Sequence, residues 1–150
     1  MRIFKWTSPL IVAGLISAGL SAPAQSHGLE IEEAWTPGTP AVRTDHVAYL
    51  TIVNDAFHPE YLYSASTPVA ARVELHRVLD GSKMAVMKRV EIPLDDRLDM
   101  RRAGYHLMLI GVKRALKPGE KIPITLTFGE GRVQKTSLTV AEPGKAADSR

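Results

Sequence analysis

Apolar and polar side chains alternate with a period near two through most of the chain, the repeat of an extended strand whose successive side chains face opposite ways. The alternation marks eight segments: Leu29 to Trp35, His46 to Val53, Tyr61 to Ala65, Ala71 to His76, Met84 to Ile92, His106 to Val112, Ile122 to Phe128 and Val133 to Val140. Between them lie Pro37-Gly38-Thr39-Pro40, Asn54-Asp55, Asp80-Gly81, Lys117-Pro118-Gly119 and Gly129-Glu130-Gly131. These are turn chemistries, glycine for positive φ and proline for a fixed one. Helical periodicity is scarce. Short strands at this spacing predict an all-β domain built as an antiparallel β-sandwich. It would occupy residues 25–140, with 141–150, small and polar, as a flexible C-terminal tail.

One stretch departs from the pattern. Met1-Arg2 and Lys5 give a basic start, Leu10 to Leu20 is continuously apolar or small, and Ala22-Pro23-Ala24 offers an A-x-A cleavage site. Residues 1–24 therefore read as a secretory signal peptide, and the apolar run falls short of the ~20 residues that cross a bilayer. The processed protein is expected in the periplasm with no membrane span. Cleavage after Ser26 is a second option, which would make His27 the amino terminus. Losing Arg2 and Lys5 with the leader lowers the formal charge from +3 to +1, too little to argue for a nucleic-acid partner. The chain contains no cysteine. That excludes disulfides and every site needing a thiolate, among them blue copper, CxxC redox and cysteine-based zinc centres.

Methionine is ordinarily a flexible core filler, so its position in the alternation is informative. In Ala71 to His76, Val73 and Leu75 share one face, leaving Glu74 and His76 on the other. In His106 to Ile110, Leu107 and Leu109 share the apolar face, leaving His106 and Met108 side by side opposite. In Met84 to Glu91, Met84 and Val86 share one face while Met87, Arg89 and Glu91 share the other. Met84 thus reads as core and Met87 as outward. With a hairpin around Asp80-Gly81, His76, Met87, His106 and Met108 become a four-donor cluster. Thioether sulfur is soft and neutral, so this set suits Cu(I) and poorly suits Zn²⁺, Ca²⁺ or Mg²⁺. Methionine and histidine also keep their donor character where thiols are oxidised.

The spacing carries a resemblance. His76, ten residues, Met87, a longer gap and then His106-Leu107-Met108 is similar to the motif of the PCuAC-type periplasmic copper chaperones. Flanking segments agree: Ala48 to Asn54, Ser64 to Pro68, Val73 to His76, His106 to Gly111 and Ile124 to Phe128. The gap between Met87 and His106 holds 18 residues, a few fewer than is usual in that family, and Trp35 is followed by Thr36-Pro37 where a basic residue is common. The resemblance implies a Greek-key, cupredoxin-like sandwich that binds one Cu(I) ion per chain through His76, Met87, His106 and Met108. It further implies delivery to the CuA centre of cytochrome c oxidase, with oxidase subunit II or another copper chaperone as partner. Copper buffering without an oxidase client uses the same residues.

Other residues carry less. His46 and His58 read as surface histidines. Met100, in the charged stretch Asp95 to Arg102, is expected at a loop or edge, with a spare soft ligand as the alternative. Trp35, Tyr49, Tyr61 and Tyr63 read as core and rim aromatics, and Arg97, Arg101 and Arg102 as a solvated basic face. His27, if processed to the amino terminus, would pair an imidazole with a free amine that chelates Cu(II). No H-E-x-x-H, G-x-S-x-G or strand-borne G-x-G-x-x-G is present, so a binding protein is expected and not an enzyme.

Overall fold

The computed structural model describes residues 28–38, 45–80, 83–101 and 104–144. The signal peptide with both cleavage sites, His27, Thr39, Pro40, Gly81, Arg102 and tail residues 145–150 lie outside the described residues. The described residues form ten strands: β1 (Leu29–Pro37), β2 (Asp45–Asn54), β3 (Glu60–Ser66), β4 (Ala70–Val78), β5 (Met84–Met87), β6 (Val90–Ile92), β7 (Asp96–Asp99), β8 (Tyr105–Val112), β9 (Lys121–Phe128) and β10 (Val133–Ala141). A single 3-10 turn, Gly129–Gly131, joins the last two.

The fold is all-β, as the alternation predicts, but its strands do not divide into two separate sheets. They follow one hydrogen-bonded path, β5-β4-β8-β2-β1-β10-β9-β3-β6, with β7 also on β2, and the sheet is nearly closed into a barrel. The cause is β2. Its first half pairs with β8, its second half with β7, and most of its length with β1. It therefore bridges what would otherwise be two layers. β1 and β10 pair in parallel, Trp35 opposite Thr139, while the other ladders are antiparallel.

Alternate apolar residues fill the interior: Ala48, Leu50 and Ile52 from β2, Leu75 from β4, Leu107 and Leu109 from β8, and Ile122, Ile124, Leu126 and Phe128 from β9. Each fully buried aliphatic or aromatic side chain of this size contributes about 1.5–3 kcal/mol. Asn54, fully buried at the end of β2, donates through Nδ2 to the carbonyls of His58 and Ile92 and accepts from the Ala56 N–H, all at 3.0 Å. It thereby fixes β6 to the loop after β2.

Several expectations change. The segment Met84 to Ile92 is two strands, β5 on β4 and β6 on β3, at opposite ends of the sheet path. The charged run Asp96–Asp99 is strand β7, in which Leu98 is the buried residue. Met100 is buried in the core, its N–H bonded to the Leu50 carbonyl, so it is neither an edge residue nor an accessible ligand. His46 is also buried, because it pairs with Leu109 and shares that residue's core-facing side. His58 is exposed as expected. Trp35 packs on Tyr49 with ring centroids 5.0 Å apart, and Tyr61 on Tyr63 at 6.4 Å. In the expected basic face, Arg97 pairs with Glu32 and Arg101 with Asp99, which offsets much of its charge.

Candidate metal centre

Three neighbouring strands, β5, β4 and β8, build the site. In an antiparallel ladder, directly paired residues project to the same face. His76 on β4 pairs with His106 on β8 and with Val86 on β5. Glu74 pairs with Met108, which also faces Val47 on β2. His76, His106, Met108 and Glu74 thus share one face, while Leu75, Leu107 and Leu109 on the same strands enter the core. Gly111 secures this register. Its φ of +65° and the 3.0 Å separation of an added Cβ from the Ala71 Cβ show a close backbone approach of β8 to β4, which glycine alone makes without strain.

The two imidazoles lie edge to face with ring centroids 5.6 Å apart. His106 is 3% exposed and the His76 side chain 13%. Each ring is held through one nitrogen. His76 Nε2 lies 2.9 Å from Glu74 Oε2, and Glu74 accepts a second bond from Arg72 Nε at 2.8 Å. His106 Nδ1 lies 3.4 Å from the Gly104 carbonyl. Both acceptors fix the ring nitrogen facing them as N–H, which leaves the other nitrogen of each ring with a lone pair. Those other nitrogens, His76 Nδ1 and His106 Nε2, are buried and have no hydrogen-bond partner among the described residues. Two such orphaned acceptors on directly paired residues are costly unless something fills them.

Electrostatics keep the pair ready for a cation. Burial pushes the His106 pKa below its ordinary 6.5, the Gly104 hydrogen bond opposes this, and neighbouring His76 adds a smaller downward push. The Glu74 carboxyl is held below its usual range, first by the His76 hydrogen bond and then by Arg72. Among the described residues, no three of His, Asp and Glu gather where they could hold a metal together. An ion on the imidazole pair would therefore take its next donor from a thioether, and Met108, two residues from His106 on β8, is a sulfur on that face.

Met87 is not brought to this face. It pairs with Leu75 and packs half-buried against the core, whereas Met84 pairs with Val78 on the side of His76 and is 54% exposed. The expected assignment of Met84 to core and Met87 to the outside is reversed. β5 reads Met-Ala-Val-Met, apolar on both faces, so its alternation holds no information about which face is buried.

The LpqE-like family profile, described as "Putative lipoprotein LpqE-like", matches residues 29–140. The chain belongs to the LpqE-like family. Among similar proteins, "Putative lipoprotein Lxx21020" of Leifsonia xyli subsp. xyli is 24% identical over 147 residues, covering 91% of this chain and 87% of that one. The solution structure of Cu(I)-DR1885 from Deinococcus radiodurans is 33% identical with a TM-score of 0.64, covering 83% of this chain and 85% of that one. The copper-bound PCuAC domain of PmoF2 is 22% identical with a TM-score of 0.68, covering 77% and 93%, a likeness of fold. The LpqE-like chain thus has PCuAC domains as its structural neighbours, as its motif spacing suggested.

In this LpqE-like chain, alternation alone places His76, His106 and Met108 on one face. It did not single out Glu74 or the Gly104 carbonyl as the groups that orient the rings. Glu74 was within reach of the same rule, since it stands two residues before His76 on one strand. The Gly104 contact depends on the path of the loop before β8, for which the alternation gives no signal.

Proposed function

We propose that this protein is an exported, periplasmic metallochaperone that binds one Cu(I) ion and delivers it for assembly of the CuA centre of cytochrome c oxidase. The observation that carries the reading is the cross-strand His76–His106 pair, whose two orphaned ring nitrogens lie on the same face as the Met108 thioether. His76, His106 and Met108 are the proposed donors, with Met87, the last residue of β5, as the fourth that the motif names. Imidazole and thioether are neutral, so they satisfy the soft preference of Cu(I) without an anionic charge to retain it. That favours transfer over storage, and binding over catalysis. The 33% identical Deinococcus relative is a Cu(I) form, and the lipoprotein names of the family and of the Leifsonia relative fit an exported protein. Among the described residues no helix is long and apolar enough to cross a membrane. A cupredoxin-like Greek key and a partner such as oxidase subunit II or another copper chaperone belong to the same reading.

Titration of the processed chain with Cu(I) against a competing chelator tests the binding step. We expect one tightly held ion in the parent protein and a loss of about tenfold or more in affinity in both His76→Ala and His106→Ala. Equal affinity in the parent and both variants would sink the reading. For the client, deletion should lower oxidase activity. Copper sensitivity with intact oxidase would instead favour buffering.

A further inference from the structure

β5 and β6 stand at opposite ends of the sheet path, and two residues, Lys88 and Arg89, connect them. The link crosses the seam that the nearly closed sheet leaves between its end strands. Tyr61 pairs with Glu91 and Leu62 with Val90, so Arg89 is next in line, level with Tyr63, where the main-chain ladder of β3 and β6 ends. Its side chain continues the contact. The guanidinium carbon lies 4.5 Å from the centre of the Tyr61 ring, and Nη1 donates to the Tyr63 hydroxyl at 3.4 Å. Both tyrosines project from the outer face of β3, since Leu62 between them is fully buried. A cation over an aromatic ring is attracted by the negative face of the π system, so Arg89 fastens the link to β3. The two ends of β5 are thus held differently. At its start the Leu79 N–H donates to the Lys83 carbonyl at 2.8 Å, closing the hairpin from β4. At its other end stands Met87, two residues before Arg89.

We propose that Arg89 is a positioning residue of the copper site: held by Tyr61 and Tyr63, it anchors the β5–β6 link and so restrains the Met87 thioether. This rests on the copper-binding reading above, with Met87 as the fourth donor. Arg89 itself supplies no ligand, because a guanidinium has only donors of hydrogen bonds and no free lone pair for a metal. Its charge and its anchoring act in opposite directions. Charge alone would repel a bound cation, weakly because the side chain is exposed and screened, so that neutralising it would tighten binding. Anchoring favours binding, because a thioether already restrained loses less conformational freedom when it ligates.

The test compares the processed parent chain with Arg89→Gln and Arg89→Lys, each with its methionine methyl groups labelled for NMR. Chelator competition gives the Cu(I) affinity, relaxation of the Met87 methyl in the unloaded protein reports its freedom, and a thermal melt reports folding. Arg89→Gln should bind Cu(I) about two- to fivefold more weakly, the size of one exposed cation–π contact. Its Met87 methyl should be more mobile and its melt close to the parent's. Arg89→Lys keeps a cation for the Tyr61 ring and should lie nearer the parent in both respects. Arg89→Gln with the parent's affinity or a tighter one, and an unchanged Met87 signal, would overturn the proposal and leave the copper reading standing. A lowered melt with an unchanged Met87 signal would assign Arg89 to the fold alone and overturn it equally. A parent protein that binds no Cu(I) would overturn the copper reading itself, and the proposal with it.

Discussion

A histidine that donates from one ring nitrogen is set to accept, or to ligate, with the other, and the neighbours of His76 and His106 impose that state on both rings. Burial adds a pH dependence whose sign follows from the direction of the shift. The His106 pKa lies below 6.5 in the folded chain, so between that value and 6.5 the unfolded chain binds more protons. Stability is then unaffected well above pH 6.5, falls as pH drops through the window, and levels off below the folded value. Urea midpoints measured across this range should show that fall in the parent and a smaller one in His106→Gln. Glu74 contributes in the same direction, because its lowered pKa makes its stabilisation disappear as the carboxylate protonates at still lower pH. At this scale the site was partly legible: β4 and β8 each have a clearly apolar face, Val73 with Leu75 and Leu107 with Leu109, that forces the histidines and Met108 to the other. β5 has none, so alternation cannot tell which of Met84 and Met87 faces the core.

Among elements, the contact between β8 and β4 depends on one residue without a side chain. Gly111 combines a positive φ with a neighbour at 3.0 Å, whereas Gly119, with a φ of +81°, would meet nothing within 4 Å. Both positions carry the left-handed penalty of roughly 1–2 kcal/mol for an L residue; only Gly111→Ala adds a tight contact, with the Ala71 Cβ. Thermal melts should therefore show Gly111→Ala to be the more destabilising of the two, and Gly119→Ala to lose only the conformational part. Equal losses would mean that Ala71 moves aside freely. Element boundaries were legible where an apolar face repeats every second residue, as in β2, β8 and β9. The break at Lys88-Arg89 and the charged strand β7 were not, because they are fixed by partners distant in sequence. Asn54 binds the Ile92 carbonyl from 38 residues away, and Thr51 bonds Asp99 across β2 and β7 at 3.2 Å.

The whole molecule owes its nearly closed form to the β2 bridge and the parallel β1–β10 ladder, neither of which alternation can forecast, since both concern which strands become neighbours. The same path gives the strands of the site unequal protection. β8 lies between β4 and β2, while β5 has four residues and β4 as its single sheet neighbour in the path. Local opening follows such differences in packing and hydrogen bonding. Amide exchange should therefore be fast in β5 and slow in β8, and one equivalent of Cu(I) should slow the β5 amides far more than those of β8. Uniform protection across both strands would show that β5 does not open separately. On this footing the lifetime of a loaded ion is set by how often a four-residue edge peels from the sheet, so that strengthening β5 by backbone pairing would lengthen the hold on copper with every ligand left in place.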